Sequence, residues 1–422
     1  MSITLKEQNT RLSRADEFDV AISGASYAGL ALARALSLTF NGEARIAVFD
    51  RAVPSERTIT DVRAFAITAS SKHMLMVLGV WAGLSDDAQA VSRIEITDSS
   101  LDAGIRPVLL GYENSVEGGE PATFIVPAAS LQRELVRLVT SDRSIKIIAP
   151  ASIVDYQSGD PRVRILLAGA HDIDTSLLVA ADGRHSALRD KAGIKSINWT
   201  YDQVGIVTIV SHERDHGGRA VQHFLPGGPF AMLPLPGNRT CITWSEAKDE
   251  AKRILALGDE DFLAEVERRF GGKLGAVRLD GPRQSWPLEL HLARSFVVPR
   301  FALIGDAAHV VHPIAGQGLN LALRDVAALA EVMADAARIG LSFGNWEALC
   351  KYERWRRFDT VAAAATFDGL NRMFSNDGTI RRAARDFGLG LVDRMPGLKQ
   401  MLVNEAAGVS GELPKLLKGE LI

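Results

Sequence analysis

Cysteine is nearly missing from this chain: 422 residues hold only Cys241 and Cys350. Two thiols so far apart exclude a disulfide framework, a cysteine-rich metal site and a C-x-x-C redox pair. Charge of one sign is missing too, because 48 basic residues stand against 51 acidic ones and the net charge is −3. That balance offers no basic field, so nucleic acid is not an expected partner. No apolar run reaches the roughly 20 residues needed to cross a bilayer, and no internal repeat or low-complexity tract is present. Residues 1–16 are polar, lack the apolar stretch of a signal peptide, and read as a loose leader. A cytoplasmic protein is expected. With 47% apolar residues, the chain has enough material for two domains or one elaborated domain.

Two segments carry nucleotide-type patterning. Phe18 to Ser23 reads as a strand, Gly24-Ala25-Ser26-Tyr27-Ala28-Gly29 as a tight turn, and Leu30 to Leu38 as a helix. A second strand, Arg45 to Phe49, ends at Asp50, which lies 26 residues after Gly24 and precedes Arg51. This is the βαβ dinucleotide unit: pyrophosphate at a helix N-terminus, acid on the adenosine ribose. Ser26 stands where the middle glycine of G-x-G-x-x-G belongs, so the backbone there is less free to approach phosphate.

The second segment runs from the strand Phe301 to Ile304 through Gly305-Asp306, His309, His312 and Pro313 to Gly316-Gln317-Gly318-Leu319-Asn320 and a long Ala- and Leu-rich helix over Leu319 to Ile339. An acid at a strand end suits ribityl hydroxyls, and glycines at a helix start let N–H groups approach a polar ring. A turn capped by Asp306 and relieved by glycine would give the same spacing. His309 and His312 read either as loop-packing histidines or as acid–base groups. They are not a metal site, since no third ligand of suitable spacing lies nearby.

Between these segments, strand-like stretches end at Ala181-Asp182-Gly183-Arg184, a third acid after a strand. Residues 57–71 read as loop before a helix over Lys72 to Leu78, with Arg63 either a surface cation or a pyrophosphate contact. Val91 to Asp98 and Phe124 to Val126 read as strands joined by a Gly-, Glu- and Asn-rich connection. The Pro- and Gly-punctuated strands over Val204 to Glu246 predict an inserted antiparallel sheet, with Phe224, Phe230, Met232 and Leu233 either as walls of an aromatic pocket or as ordinary core packing. A mixed α/β fold follows. A Rossmann-like dinucleotide domain is expected over 17–90, 120–195 and 287–345, with a substrate-binding sheet domain over 91–119 and 196–286 and a helical region over 346–422.

Taken together, GASYAG, VAADGRHSALR and GDAAHVVHPIAGQGLNLALRD resemble the FAD fingerprint, the Asp-Gly motif and the Gly-Asp motif of the class A flavoprotein aromatic hydroxylases, those with the p-hydroxybenzoate hydroxylase fold. The stretches His309 to Leu321, Gly228 to Pro236 and Tyr352 to Arg356 are most similar to the ubiquinone-biosynthesis hydroxylases of the UbiH/UbiF type. The resemblance implies FAD as the durable cofactor and NADH or NADPH as a transient reductant. It further implies O2 addition to the flavin 4a-carbon and OH transfer from that hydroperoxide to a hydrophobic aromatic substrate, a polyprenylated phenol. Alternatives are another phenol, or a flavin-binding subunit of a biosynthetic complex without turnover.

By the same resemblance, Gly24, Ser26, Ala28, Gly29, Asp50 and Arg51 hold ADP, and Arg63 lies near the pyrophosphate. Asp182 and Gly183 lie near FAD, and Asp306 meets the ribityl chain. Pro313, Gly316, Gln317, Gly318, Leu319 and Asn320 flank the isoalloxazine. Ala128 stands where many relatives carry an arginine, which removes one phosphate contact. No side-chain nucleophile is implied, because the flavin carries the chemistry. Arg372, Arg381, Arg382, Arg385 and Arg394 give the C-terminal helices a cationic face: either a solvated surface, or a peripheral contact with the inner membrane or a partner protein.

Overall fold

The computed structural model describes residues 17–54, 61–99, 101, 106–169, 171–313, 316–374 and 396–422. Two large sheets organise them. The first has the order Val297–Val298, Phe301–Leu303, Ile173–Ala180, Glu17–Ser23, Ile46–Phe49, Ile145–Ile148. Five of these strands run parallel. Glu17–Ser23 is paired on both edges, and its Val20, Ala21 and Ile22 are completely buried. That double burial is why it reads as a continuous apolar run rather than an alternating one. Helices Tyr27–Thr39, Ala128–Ser141 and Gly318–Arg338, rich in Ala and Leu, share the core with this sheet.

The second sheet has nine strands, with His309–Val310, Gln284–Ala293, Ser196–His212, Arg239–Ala247, Gly228–Leu235, Arg219–Leu225, Arg93–Asp98 and Val108–Glu113 in that order. All its pairs are antiparallel except Arg219–Leu225 with Arg93–Asp98. Side chains alternate across it. Ile206, Val210, Phe230, Met232, Ile242 and Trp244 pack with Phe262, Val266 and Phe270 of helix Asp259–Phe270. Val207, Ile209, Leu233 and Cys241 face the other way.

Three expectations need correction. Residues 64–68 are a strand, Ala64–Thr68, paired antiparallel with Thr123–Pro127, and the helix after it starts at Ala69 rather than Lys72. Its alternating Ala-Phe-Ala-Ile-Thr lacks the β-branched density that marks a strand in isolation, so tertiary pairing decides it. The connection after Asp98 contains a strand, Val108–Glu113, held to Arg93–Asp98. The boundary at 287 falls inside one continuous strand, Gln284–Ala293, bonded to Ser196–His212 on both sides of that point, so the second sheet extends to Ala293 and takes in His309–Val310.

Helix Trp346–Phe374 docks on an irregularity between Thr200 and Val204 of the long strand, where Tyr201 Oη donates to Asp368 Oδ1 at 2.9 Å. Helix Pro396–Ala406 lies against Ala69, Ala122 and Tyr112. No helix among the described residues is long and apolar enough to cross a membrane. The leader, Arg381, Arg382, Arg385, Arg394 and the side chain of Arg372 lie outside the described residues.

Candidate active site

A single cavity of about 800 Å³ joins the carboxyl ends of the parallel strands to the inner face of the second sheet. Its first half is built by the N-terminal turn. Gly24 adopts φ +112°, and a Cβ there would stand 2.2 Å from the Ala181 carbonyl oxygen, so only glycine fits between the two strand ends. Ser26 precedes helix Tyr27–Thr39 in extended conformation without a side-chain cap, so a side chain is accepted at the middle position of the fingerprint. The first N–H groups of that helix have no intrahelical acceptor and suit an anion. Asp50 shapes the turn: Oδ2 accepts the Ala25 N–H at 2.8 Å and Oδ1 the Ala52 N–H at 3.0 Å.

Gly24, Ser26, Ala28, Asp50, Arg51, Arg63, Asp182, Gly183, Asp306, Pro313, Gly316, Gln317, Gly318 and Leu319 all line the cavity. Gly29 and Asn320 do not. Gly29 is a packing glycine, since a Cβ would stand 1.9 Å from the Gly24 carbonyl oxygen. Asn320 is buried and ties strand Ala64–Thr68 to the long helix, donating to Ala66 O at 2.8 Å and accepting the Thr68 N–H at 3.2 Å. Both act on the lining from behind.

Asp306 makes no hydrogen bond or ion pair among the described residues, and its carboxylate is exposed to the cavity. Burial deep in the cleft raises its pKa, against the opposing charges of His309, Arg63 and Arg184. Asp182 is similar: burial raises its pKa, and its Oδ1 is buried with no partner among the described residues. Arg63 is not a bare surface cation. Its guanidinium grips Asp61, with Nη2 to Oδ2 at 2.7 Å, and lies over the rings of Phe65 and Trp286.

Behind these residues lie buried polar ties that the spacing did not reveal. Arg189 donates to Ala307 O at 3.2 Å, Arg184 O at 3.0 Å and His291 Nε2 at 2.8 Å, joining the Asp-Gly turn to the Gly-Asp turn. Arginine can only donate, so His291 accepts as a neutral imidazole. Burial, then the Arg189 charge, lower its pKa to about 4. His309 lines the cavity, with Nε2 held by Asp325 Oδ2 at 2.6 Å. His312 is turned away from the cavity and packs edge-on to Tyr201, so its geometry does not suit an acid–base role there.

The second half of the cavity is apolar. Phe224 and Leu233 line it together with Ile94, Ile96, Val207 and Trp286. Phe230 and Met232 do not: strand alternation puts them on the helix-covered face with Trp244 and Phe262. Val403 and Ala406 of helix Pro396–Ala406 also line the cavity. No group of three or more potential metal ligands occurs among the described residues.

The lining therefore fits an extended dinucleotide. A glycine cradle, an orphaned buried carboxylate oxygen and a bare acid at a strand end mark its path, and a chamber for an apolar ring adjoins it. Comparison with known proteins agrees. A family described as FAD binding domain matches residues 17–343. The chain is 39% identical to ubiquinone hydroxylase UbiL of Rhodospirillum rubrum, over 95% of this chain and 92% of that one. It is 31% identical to 3-demethoxyubiquinol 3-hydroxylase of Escherichia coli, over 93% and 98%. Among solved structures, p-nitrophenol 4-monooxygenase PnpA from Pseudomonas putida superposes with a TM-score of 0.76 at 16% identity, covering 94% of this chain and 99% of that one. This last likeness speaks for the fold alone.

Proposed function

The chain belongs to the FAD binding domain family, and from that premise we propose that it is an FAD-dependent monooxygenase hydroxylating the ring of a polyprenylated phenol in ubiquinone biosynthesis. The observation that carries this reading is the continuity of one cavity from a dinucleotide cradle to an apolar chamber. The hydroxylase relatives support the substrate class.

When bound, FAD supplies the redox chemistry, taking electrons from NADH or NADPH and activating O2. The protein's own residues do the rest. The turn at Gly24 to Ser26 and the helix behind it would hold the phosphates, and Asp50 with Arg51 the adenosine end. Asp306 would take ribityl hydroxyls, and Asp182 would offer its unpaired oxygen nearby. Pro313 and Gly316 to Leu319 would flank the isoalloxazine at the start of helix Gly318–Arg338, whose positive end stabilises negative charge by up to ~2 kcal/mol. Phe224, Leu233 and Trp286 exclude water from the reacting ring. We place the protein in the cytoplasm, on the aqueous side of a membrane holding such substrates.

Stimulation of NAD(P)H oxidation in the FAD-loaded protein by a short-chain prenylated phenol, with a product one oxygen atom heavier by mass spectrometry, is the expected result. Absence of stimulation by every phenol tried would instead favour a flavin-binding subunit without turnover.

A further inference from the structure

The cavity-facing side of the second sheet carries a polar pair that neither the fold nor the cofactor explains. Cross-strand register places Ile96, Gln222, Ala231, Thr243 and Val207 in one row across five strands. All five line the cavity. Ile94, Ala220, Phe224 and Leu233 surround them on this face, and the nearest other polar side chain, Tyr112, stands across from Ile94 at the sheet's edge, so Gln222 and Thr243 interrupt a largely apolar wall. They flank Ala231, whose methyl leaves a recess between them. Two strand spacings separate their backbones, about 10 Å, a gap in which the edge of a six-membered ring fits.

Both side chains are half-buried. The Thr243 hydroxyl is within hydrogen-bonding reach of the buried Cys241 thiol, a weak acceptor that leaves its oxygen free to accept, and no hydrogen bond fixes the Gln222 amide among the described residues. An apolar ligand filling the chamber would strip water from both groups, at a cost recovered only if the ligand brings an oxygen to meet them. An amide and a hydroxyl each donate and accept, so the pair suits a neutral oxygen substituent.

We propose that Gln222 and Thr243 are specificity-determining residues that bind an oxygen substituent of the substrate ring and so orient that ring over Ala231. This rests on the hydroxylase reading above. The pairing is set by strand register, which is why neither residue stands out in the linear sequence.

The test titrates FAD-loaded protein with 2-geranylphenol and with geranylbenzene, which lacks the oxygen, following the perturbation of the flavin absorption. Wild type should prefer the phenol by about tenfold or more. The near-isosteric variants Gln222→Met and Thr243→Val should each reduce that preference by about threefold to tenfold, while Thr243→Ser, which keeps the hydroxyl, should retain it. Bound-flavin content checks that each variant is folded. A wild type that binds both probes equally, or a double variant that keeps the full preference, overturns the proposal and leaves the hydroxylase reading intact. A wild type whose flavin responds to neither probe overturns that reading and the proposal with it.

Discussion

His312 shows how a single residue ties the loop beside the cofactor to pH. Its imidazole is completely buried, neither nitrogen has a partner among the described residues, and burial lowers its pKa from 6.5 to about 4. His291 is lowered to about 4 as well. The unfolded chain therefore takes up protons first as pH falls below 6.5. Stability held above that pH is lost progressively down to about 4, and for fully buried His312 the loss approaches about 3 kcal/mol. His312→Phe, which keeps a ring against Tyr201, should flatten this dependence, as checked by urea unfolding at about pH 7 and about pH 5. Asp306 gives a second prediction. Its carboxylate has no partner among the described residues, so Asp306→Ala should weaken FAD binding about 10- to 100-fold, the worth of a charged hydrogen bond, in a fluorescence titration of the apoprotein. The sequence made Asp306 legible because an acid at a strand end is a local pattern. It did not reveal that Phe230 and Met232 face away while Ala231 and Leu233 face the cavity, because the phase of an alternating strand depends on which side the helices cover.

At the scale of elements, helices Gly318–Arg338 and Trp346–Phe374 are clamped together by charges with no access to water. Asp325 Oδ1 accepts from Arg356 Nε at 2.9 Å, and its Oδ2 accepts from His309 at 2.6 Å and from the Gly305 N–H at 3.0 Å. Burial alone would raise the Asp325 pKa, but His309 and Arg356 hold it below the usual carboxylate range. Removing the carboxylate leaves the buried Arg356 with only its Nη1 pair to the partly exposed Asp359 at 2.9 Å, and that asymmetry makes such clusters fragile. Asp325→Asn should cost about 3–5 kcal/mol in urea unfolding and disturb the Gly305–Asp306 turn. The long helix that follows Gly318 was legible from its 3.6-residue apolar period. Ala64–Thr68 was not. Its pairing partner, Thr123–Pro127, lies more than fifty residues away, and nothing local marks an Ala-rich strand.

For the whole molecule, the decisive arrangement is one sheet presenting strand ends and another presenting a face, with a single cavity between them. Spacing along the chain announced the first, since phosphate cradles are built from consecutive residues; it announced the second only as a sheet, since a chamber wall is built from residues on different strands. A third part of the chain also lines the cavity. Val403 and Ala406 reach it from helix Pro396–Ala406, which is held by the contact of Ala407 O with the Ser70 N–H at 3.3 Å and by packing on Ala69 and Ala122. If an isoprenoid tail runs from the flavin end toward this helix, the bulk at position 406 sets how long a tail is accepted. Ala406→Trp should then raise KM for a long-chain prenylated phenol by about tenfold or more while changing KM for a short-chain one by less than about twofold, because each excluded methylene forfeits about 0.8 kcal/mol. Equal effects on both chain lengths in steady-state assays would show that the tail leaves the cavity elsewhere.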